Sequence, residues 1–536
     1  MRSCRVLVGV GRGGKVSALL GVLGALIVAA AAGEGSAGAA AMPRGLEVTL
    51  QDDALLLYRS RRQVRRTARR IAAIGADRVR LTASWSALAP DPDSRHRPRF
   101  DATNPSRYRR EGIRRLDTAV SEAAAAGLSV QIDLAFWAPR WAVARTLSGD
   151  RQRWRPSSRE YGRFALALAR RYSGRARDPA RRGRRLPAVR LWTTWNEPNH
   201  PGFLLPQWSR VGGGWRPEAP HVYRRLHEVA FRALKRVDER NRVLLGGLAA
   251  TGGTRPGYRR GLPPLRFVRE LACVDRSLTP LRARRCRGFR PLRADGFAHH
   301  PYSLAQPPGS PQPRPDSVAL AELDALASLL RELRARGRIE TELPLYVTEY
   351  GYESNPPDFA RGVAPRTQAR YLGLATYLAW KQPDTRMFAQ FLLQDIGPDR
   401  RYGTRSARRW HDYQTGLYYH DGRPKPALQA FRLPFWIEPR GFGVEPELTI
   451  FGQVRPGAGS QRVTIERRAG DGSWEGVASR ERDPLDACCS LASVEFDTDA
   501  EGFYLRTVPN TGGGSYRARW LLPDGRSRTS ISLKSP

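Results

Sequence analysis

Eight short β-favouring runs alternate with longer amphipathic stretches between residues 43 and 435. The strand candidates are Leu46–Leu50, Arg78–Ala83, Ser129–Leu134, Val189–Thr194, Arg242–Gly247, Gly296–His299, Leu345–Thr348 and Met387–Leu392. Helical periodicity fills Arg107–Ala126, Ser158–Tyr172, His221–Glu239, Asp316–Arg336 and Thr367–Trp380. The second of these opens on a capping-box pattern, Ser157 with Glu160 three residues on. Repetition of this number and length points to an α/β fold, a (β/α)8 TIM barrel with an outer ring of helices. Periodicity does not by itself show closure, so an open doubly wound sheet is the competing arrangement. After Trp436 the helical pattern stops. About seven short alternating runs follow, parted by Gly, Pro and Asp turns, and these suit a small all-β sandwich of immunoglobulin or fibronectin type. The division expected is a leader over 1–42, the barrel over 43–435 and the sandwich over 436–536.

A chain of 536 residues with 41% hydrophobic content accommodates two such cores. The formal charge of +39 needs a cause. Lys and Arg total 90, and only Lys15, Lys235, Lys381, Lys425 and Lys534 are lysine. Arginines spread along the whole chain fit a compositional bias better than a phosphate footprint. With no groove-reading motif, nucleic acid is not an expected partner. The densest run, Arg175–Arg185, reads as a solvated loop. At the N-terminus, Arg2, Arg5, Arg12 and Lys15 precede an apolar run from Val16 to Ala32 and then small residues. That order is that of a secretory signal peptide, with an uncleaved N-terminal anchor as the alternative. No second segment is apolar enough to span a membrane after signal cleavage. In an oxidising compartment Cys273 and Cys286, flanking an Arg-rich loop, suit a disulfide bond. Cys4 lies in the leader, and Cys488 and Cys489 are adjacent without an assignable partner.

Barrel enzymes carry reactive groups at the C-terminal ends of strands. Two carboxylates stand at such ends: Glu197 in Leu191-Trp-Thr-Thr-Trp-Asn-Glu-Pro198, and Glu349 in Leu345-Tyr-Val-Thr-Glu-Tyr-Gly351. Asn-Glu-Pro after the fourth strand and Glu after the seventh resemble the clan-A glycoside hydrolases, cellulase-like retaining barrel enzymes, with families 5 and 39 nearest in pattern. The resemblance covers Leu46 to Arg432. It implies Glu197 as general acid/base, Glu349 as nucleophile and Asn196 as a contact to a sugar 2-hydroxyl. It further implies that Arg80, in Arg80-Leu-Thr-Ala-Ser-Trp85, supports the nucleophile. His300-Pro-Tyr302 matches a His-x-Tyr at the sixth strand, with Tyr302 near the nucleophile and His300 lining the sugar site. Such chemistry needs one carboxyl protonated to assist departure and one ionised to attack.

Two features depart from family 5. Asp133-Leu134 is followed by Ala135 where a His is common. The run Gln390–Asp395 has no Trp to end the eighth strand. Trp137 and Trp141, after the third strand, are candidate stacking surfaces, and Asp52 and Asp53 candidate pocket residues. Each also has a packing or capping reading. Trp474 and Trp520 read as core of the sandwich.

The expected activity is therefore hydrolysis of O-glycosidic bonds, β-linked, of an oligo- or polysaccharide by a secreted monomer. The mechanism requires no metal or organic cofactor. The alternatives are a non-catalytic carbohydrate-binding protein on the same barrel and a cell-surface protein whose working part is the sandwich.

Overall fold

The computed structural model describes residues 45–145, 152–440, 446–457, 459–481, 492–510, 512–522 and 524–535. The leader, Cys4, Cys488 and Cys489 lie outside them. Eight parallel strands close into a barrel: β1 (Glu47–Gln51), β2 (Arg78–Thr82), β3 (Ser129–Leu134), β4 (Leu191–Thr194), β5 (Arg242–Ala249), β6 (Gly296–His300), β7 (Leu345–Tyr350) and β8 (Thr385–Phe391). β1 pairs with both β2 and β8, which removes every sheet edge and excludes the open sheet.

Strand parity divides two sets of side chains. Val79, Leu81, Ile132, Leu245, Phe297, Val347 and Phe388 join the large core between strands and helices. Leu191, Leu244, Ala298, Tyr346 and Met387, from β4 to β8, form a separate small cluster. Arg80 and Asp133 fall on the parity opposite to their apolar neighbours, so the barrel fold itself places two buried charges together.

The helices lie at Arg110–Ala125, Ser158–Arg171, Ala219–Val237, Leu323–Ala335 and Pro365–Lys381. The Ser157 hydroxyl accepts the Glu160 amide, as the capping pattern implies. Leu323–Ala335 starts seven residues later than its periodicity suggests. Glu322 accepts the amides of Ala319 and Gln312 at 2.8 and 2.6 Å, which holds the preceding chain in a tight turn. Arg61–Ala73 is a further helix whose signal, Val64, Ala68 and Ile71, is diluted by six arginines. Arg181, in the arginine-rich loop, reaches Glu122 at 3.1 Å, beside Arg61 and Arg65. Cys273 and Cys286 are bonded, with Sγ atoms 2.00 Å apart.

From Phe435 the chain is all β. One sheet orders Phe435–Arg440, Glu447–Gln453, Phe503–Pro509 and Arg480–Glu481. The other is built on Trp474–Gly476, Arg462–Arg468, Ser515–Leu521 and Ser527–Thr529. Leu448, Ile450, Ile465, Val508, Tyr516 and Trp520 interdigitate between them in one core. Trp520 is thus packing. Trp474 is half-buried under the Arg517 guanidinium, 4.1 Å from its ring. The barrel and this domain also share apolar contacts: Trp380 packs on Phe451 and Phe503 with ring centroids 5.0 and 6.0 Å apart. Among the described residues no helix is long and apolar enough to cross a membrane.

Candidate active site

Arg80 organises the C-terminal mouth of the barrel. Its side chain is 1% exposed, and four strand ends converge on it. Nη1 donates to Glu349 Oε1 at 2.6 Å and to Gln51 Oε1. Nη2 donates to Asp133 Oδ2 at 2.8 Å and to Asn196 Oδ1 at 3.1 Å. A planar fork with fixed donors suits this four-way task better than an ammonium.

Glu349 reaches the lumen through a bulge. Val347 pairs with Phe388 and Tyr350 with Gln390, so β7 advances three residues while β8 advances two. Val347 faces the helices, and regular alternation would send Glu349 the same way. The extra residue reverses that parity. Glu349 then receives Arg80 on one oxygen and the Tyr302 hydroxyl on the other, at 3.2 Å. Burial opposes its ionisation, but His300, Arg80 and the two hydrogen bonds outweigh burial and hold the carboxyl below the usual carboxylate range. Burial, with the Glu349 charge, keeps the Tyr302 hydroxyl protonated far above its ordinary pKa, so it remains a donor.

Glu197 is set by a bent segment after β4. Trp195 and Glu197 adopt φ of +65° and +39°, unfavourable for non-glycine residues. Two anchors hold the bend. The Trp195 amide donates to Leu134 O at 3.0 Å and to the Tyr161 hydroxyl at 2.9 Å. The Glu197 amide donates to Gly247 O at 2.8 Å. That carbonyl is presented by a second bulge: Gly246 pairs with Ala298 but Leu248 with His299. A Cβ at Gly246 would lie 2.4 Å from Ala298 O, so the bulge requires glycine there.

His300 Nδ1 lies 3.1 Å from Glu197 Oε1 and 3.6 Å from Glu349 Oε2. One donor atom from each of the three lies within 4.8 Å of the others. Such a trio offers enough donors for a metal ion, but the Arg80 charge already rests on Glu349 and repels a second cation. Asp133 is wholly buried. Burial pushes it up to about 7 against the pull of Arg80.

The two glutamates face a cavity of about 680 Å³, also lined by Asn196, Tyr302, Phe136, Phe203 and Tyr413. Among the residues expected here, Arg80 and His300 stand behind the carboxylates and not on the cavity wall. Trp137 does not line the cavity. Its neighbour Phe136 does, on the bend that follows β3, and the Trp137 indole instead donates to Gly202 O at 2.9 Å. Trp141 packs edge-on against Trp85 and donates to Pro90 O. Asp53 lines the cavity, whereas Asp52 caps a short helix through the Leu55 amide and holds the Gln394 amide. Tyr413, Glu353 and Arg361 escaped the sequence reading: they sit on loops beyond β7 and β8, with no motif around them. Tyr413 packs edge-on against Phe391, 5.0 Å between centroids, at the wall where a strand-eight Trp is lacking.

No family model and no curated protein matches the chain. Solved structures that match it include glycoside hydrolases. A family 39 glycoside hydrolase from Bacteroides cellulosilyticus WH2 is 16% identical with a TM-score of 0.49, over 88% of this chain and 81% of that one. An endo-beta-1,4-mannanase from Thermotoga petrophila is 12% identical with a TM-score of 0.39, over 93% and 98%. The GH5_18 protein from Streptomyces cattleya is 18% identical with a TM-score of 0.42, over 73% and 79%.

Proposed function

We propose that this chain is a retaining glycoside hydrolase of the clan-A type, secreted, acting on β-linked oligo- or polysaccharides. The observation that carries the proposal is the pair Glu197 and Glu349: both face one cavity, and their nearest oxygens lie within 4.8 Å. Retaining enzymes hold their carboxyl groups about 5–5.5 Å apart, whereas inverting enzymes leave room for a water between them.

The surroundings of the two groups divide the labour. Glu349 is held ionised by His300, Arg80 and Tyr302 and is the nucleophile. It attacks the anomeric carbon as the bond to the leaving oxygen breaks. Glu197, which has His300 Nδ1 at 3.1 Å, donates its proton to that oxygen. In the second step Glu197 takes a proton from water, which displaces Glu349 from the glycosyl-enzyme. Asn196, steered by Arg80, is placed to meet the sugar at the 2-position.

The test is a panel of activated aryl β-glycosides with wild type, Glu349→Ala and Glu197→Ala. Retained anomeric configuration is expected, with strong loss in Glu349→Ala and rescue there by azide to the opposite anomer. Absence of turnover across the panel, with glycan binding intact in both variants, would move the protein to the class of binding proteins. Secretion is tested by the N-terminal sequence of the protein recovered from culture medium.

A further inference from the structure

The charged groups on the cavity wall run against the composition of the chain. Basic residues outnumber acidic ones by 90 to 51. Yet among the described residues the wall carries Asp53, Glu197, Glu349 and Glu353 against a single arginine, Arg361. Arg361 is largely committed to the protein. Its Nε donates to Asp358 at 3.1 Å, and Nη2 donates to the carbonyls of Trp410 and Asp412 at 3.0 and 3.4 Å. Arg80 is spent on four partners behind the wall. Among the described residues, an anionic sugar placed here meets four carboxylates and one arginine that already serves Asp358, Trp410 and Asp412.

Glu353 lies four residues beyond Glu349, on the loop leaving β7. Its Oε2 accepts the Gln414 amide at 2.6 Å. Its Oε1 is 3.7 Å from Arg361, outside hydrogen-bond reach. One oxygen therefore fixes the residue, and the other, paired with Arg361 through charge without a hydrogen bond, keeps accepting capacity at the cavity that Glu353 lines. The wall is pre-organised by a buried ionic node. Lys425 Nζ donates to Asp395 Oδ1 at 2.7 Å, Ser354 Oγ at 2.8 Å and Gln414 O at 2.9 Å, and Asp395 in turn accepts the Gly416 amide at 2.9 Å. This ties together the loops after β7 and β8, which carry Glu353 and Tyr413.

We propose that Glu353 recognises substrate by accepting a hydrogen bond from a glycosyl hydroxyl, and that the cavity takes an uncharged glycosyl group. The inference rests on the hydrolase reading of the site. Burial pushes the Glu353 carboxyl up to about 7, so a hydroxyl donor compensates a group that water solvates poorly. Loss of a hydroxyl that such a site is built to bind is strongly rejected, because a buried polar group is left unpaired.

The experiment uses the full chain, with kcat/KM measured for neutral aryl β-glycosides, the corresponding β-glucuronide and the monodeoxy series of the best neutral substrate. Wild type is expected to disfavour the glucuronide by about 10³-fold and one deoxy position by about 10²-fold or more. In Glu353→Ala the penalty at that deoxy position should fall below about tenfold. Glu353→Gln keeps an oxygen for the Gln414 amide and should give an intermediate ratio, which guards against misfolding of the alanine variant. If Glu353 only props the Gln414 loop, both variants lower all substrates equally and leave the deoxy ratio unchanged, which overturns the assignment. Equal turnover of the glucuronide overturns the uncharged glycone while the hydrolase reading stands. No turnover of any glycoside by wild type sinks both.

Discussion

Replacing Arg80 by Met should move the acid limb of the kcat/KM profile upward. At the 2.6 Å separation from Glu349 and an effective dielectric of about 20, the pair is worth about 6 kcal/mol of gross Coulomb energy. Most of that offsets desolvation of the two groups. The net effect of an adjacent opposite charge on a carboxyl is about 1–3 pKa units, or about 1.4–4 kcal/mol. The sign is unambiguous: removing a cation favours the protonated carboxyl, and a protonated Glu349 cannot attack. The loss should therefore be deepest at low pH and shrink as pH rises. Asp133 loses its ion-pair partner too, but with a pKa already near 7 it takes up a proton, which limits the folding cost. Arg80→Lys should restore part of the shift without the four-partner geometry. The assay is hydrolysis of an aryl glycoside from pH 4 to 9, with circular dichroism to confirm folding. A folded Arg80→Met whose acid limb has not moved would refute the assignment of Arg80 as one of the groups that hold Glu349 ionised.

Tyr302→Phe removes the hydroxyl on Glu349 Oε2. A charge-assisted hydrogen bond of about 1.5–3 kcal/mol corresponds to a ten- to two-hundred-fold drop in kcat with little change in KM, read by steady-state kinetics. Burial pushes Asp52 and Glu353 up to about 7. Groups raised in the folded state bind more protons there than when unfolded. Their contribution to stability is present at acid pH and is lost as pH climbs through about 7. Tm should thus be higher near pH 5 than near pH 8, and Asp52→Asn should flatten that dependence. Reducing the Cys273–Cys286 bond, which spans 13 positions, should cost about 3 kcal/mol. Dithiothreitol should then lower the Tm of wild type but not that of the Cys273→Ser/Cys286→Ser variant.

The eight barrel strands were legible as sequence because each is a short β-favouring run with apolar residues at alternate positions or throughout, and a strand buried against helices needs nothing more specific. Ser129–Leu134 agrees at both ends, and the others differ by a residue or two at their margins. Glu197, Glu349, Arg80 and Tyr302 were legible for a related reason: they sit at strand ends inside short local motifs, and barrel closure brings strand ends together whatever the intervening loops do. Helix Arg61–Ala73 was missed because its apolar stripe is three residues wide in a field of arginines that a solvent-facing surface tolerates.

What the sequence alone determined is the order of the elements and the chemistry carried at their ends. Side-chain direction was decided elsewhere. A bulge in β7 turns Glu349 into the lumen, and a bulge in β5 offers the Gly247 carbonyl that holds Glu197 in its strained conformation. On the bend after β3, Phe136 faces the cavity and Trp137 does not. Tyr413 and Glu353 reach the wall through loops clamped by Lys425, a residue distant in sequence from Ser354 and joined to it only in the folded barrel. Bulges and loop clamps depend on hydrogen bonds between segments far apart along the chain. Local periodicity contains no record of them, and the cavity wall was therefore settled only by the tertiary structure.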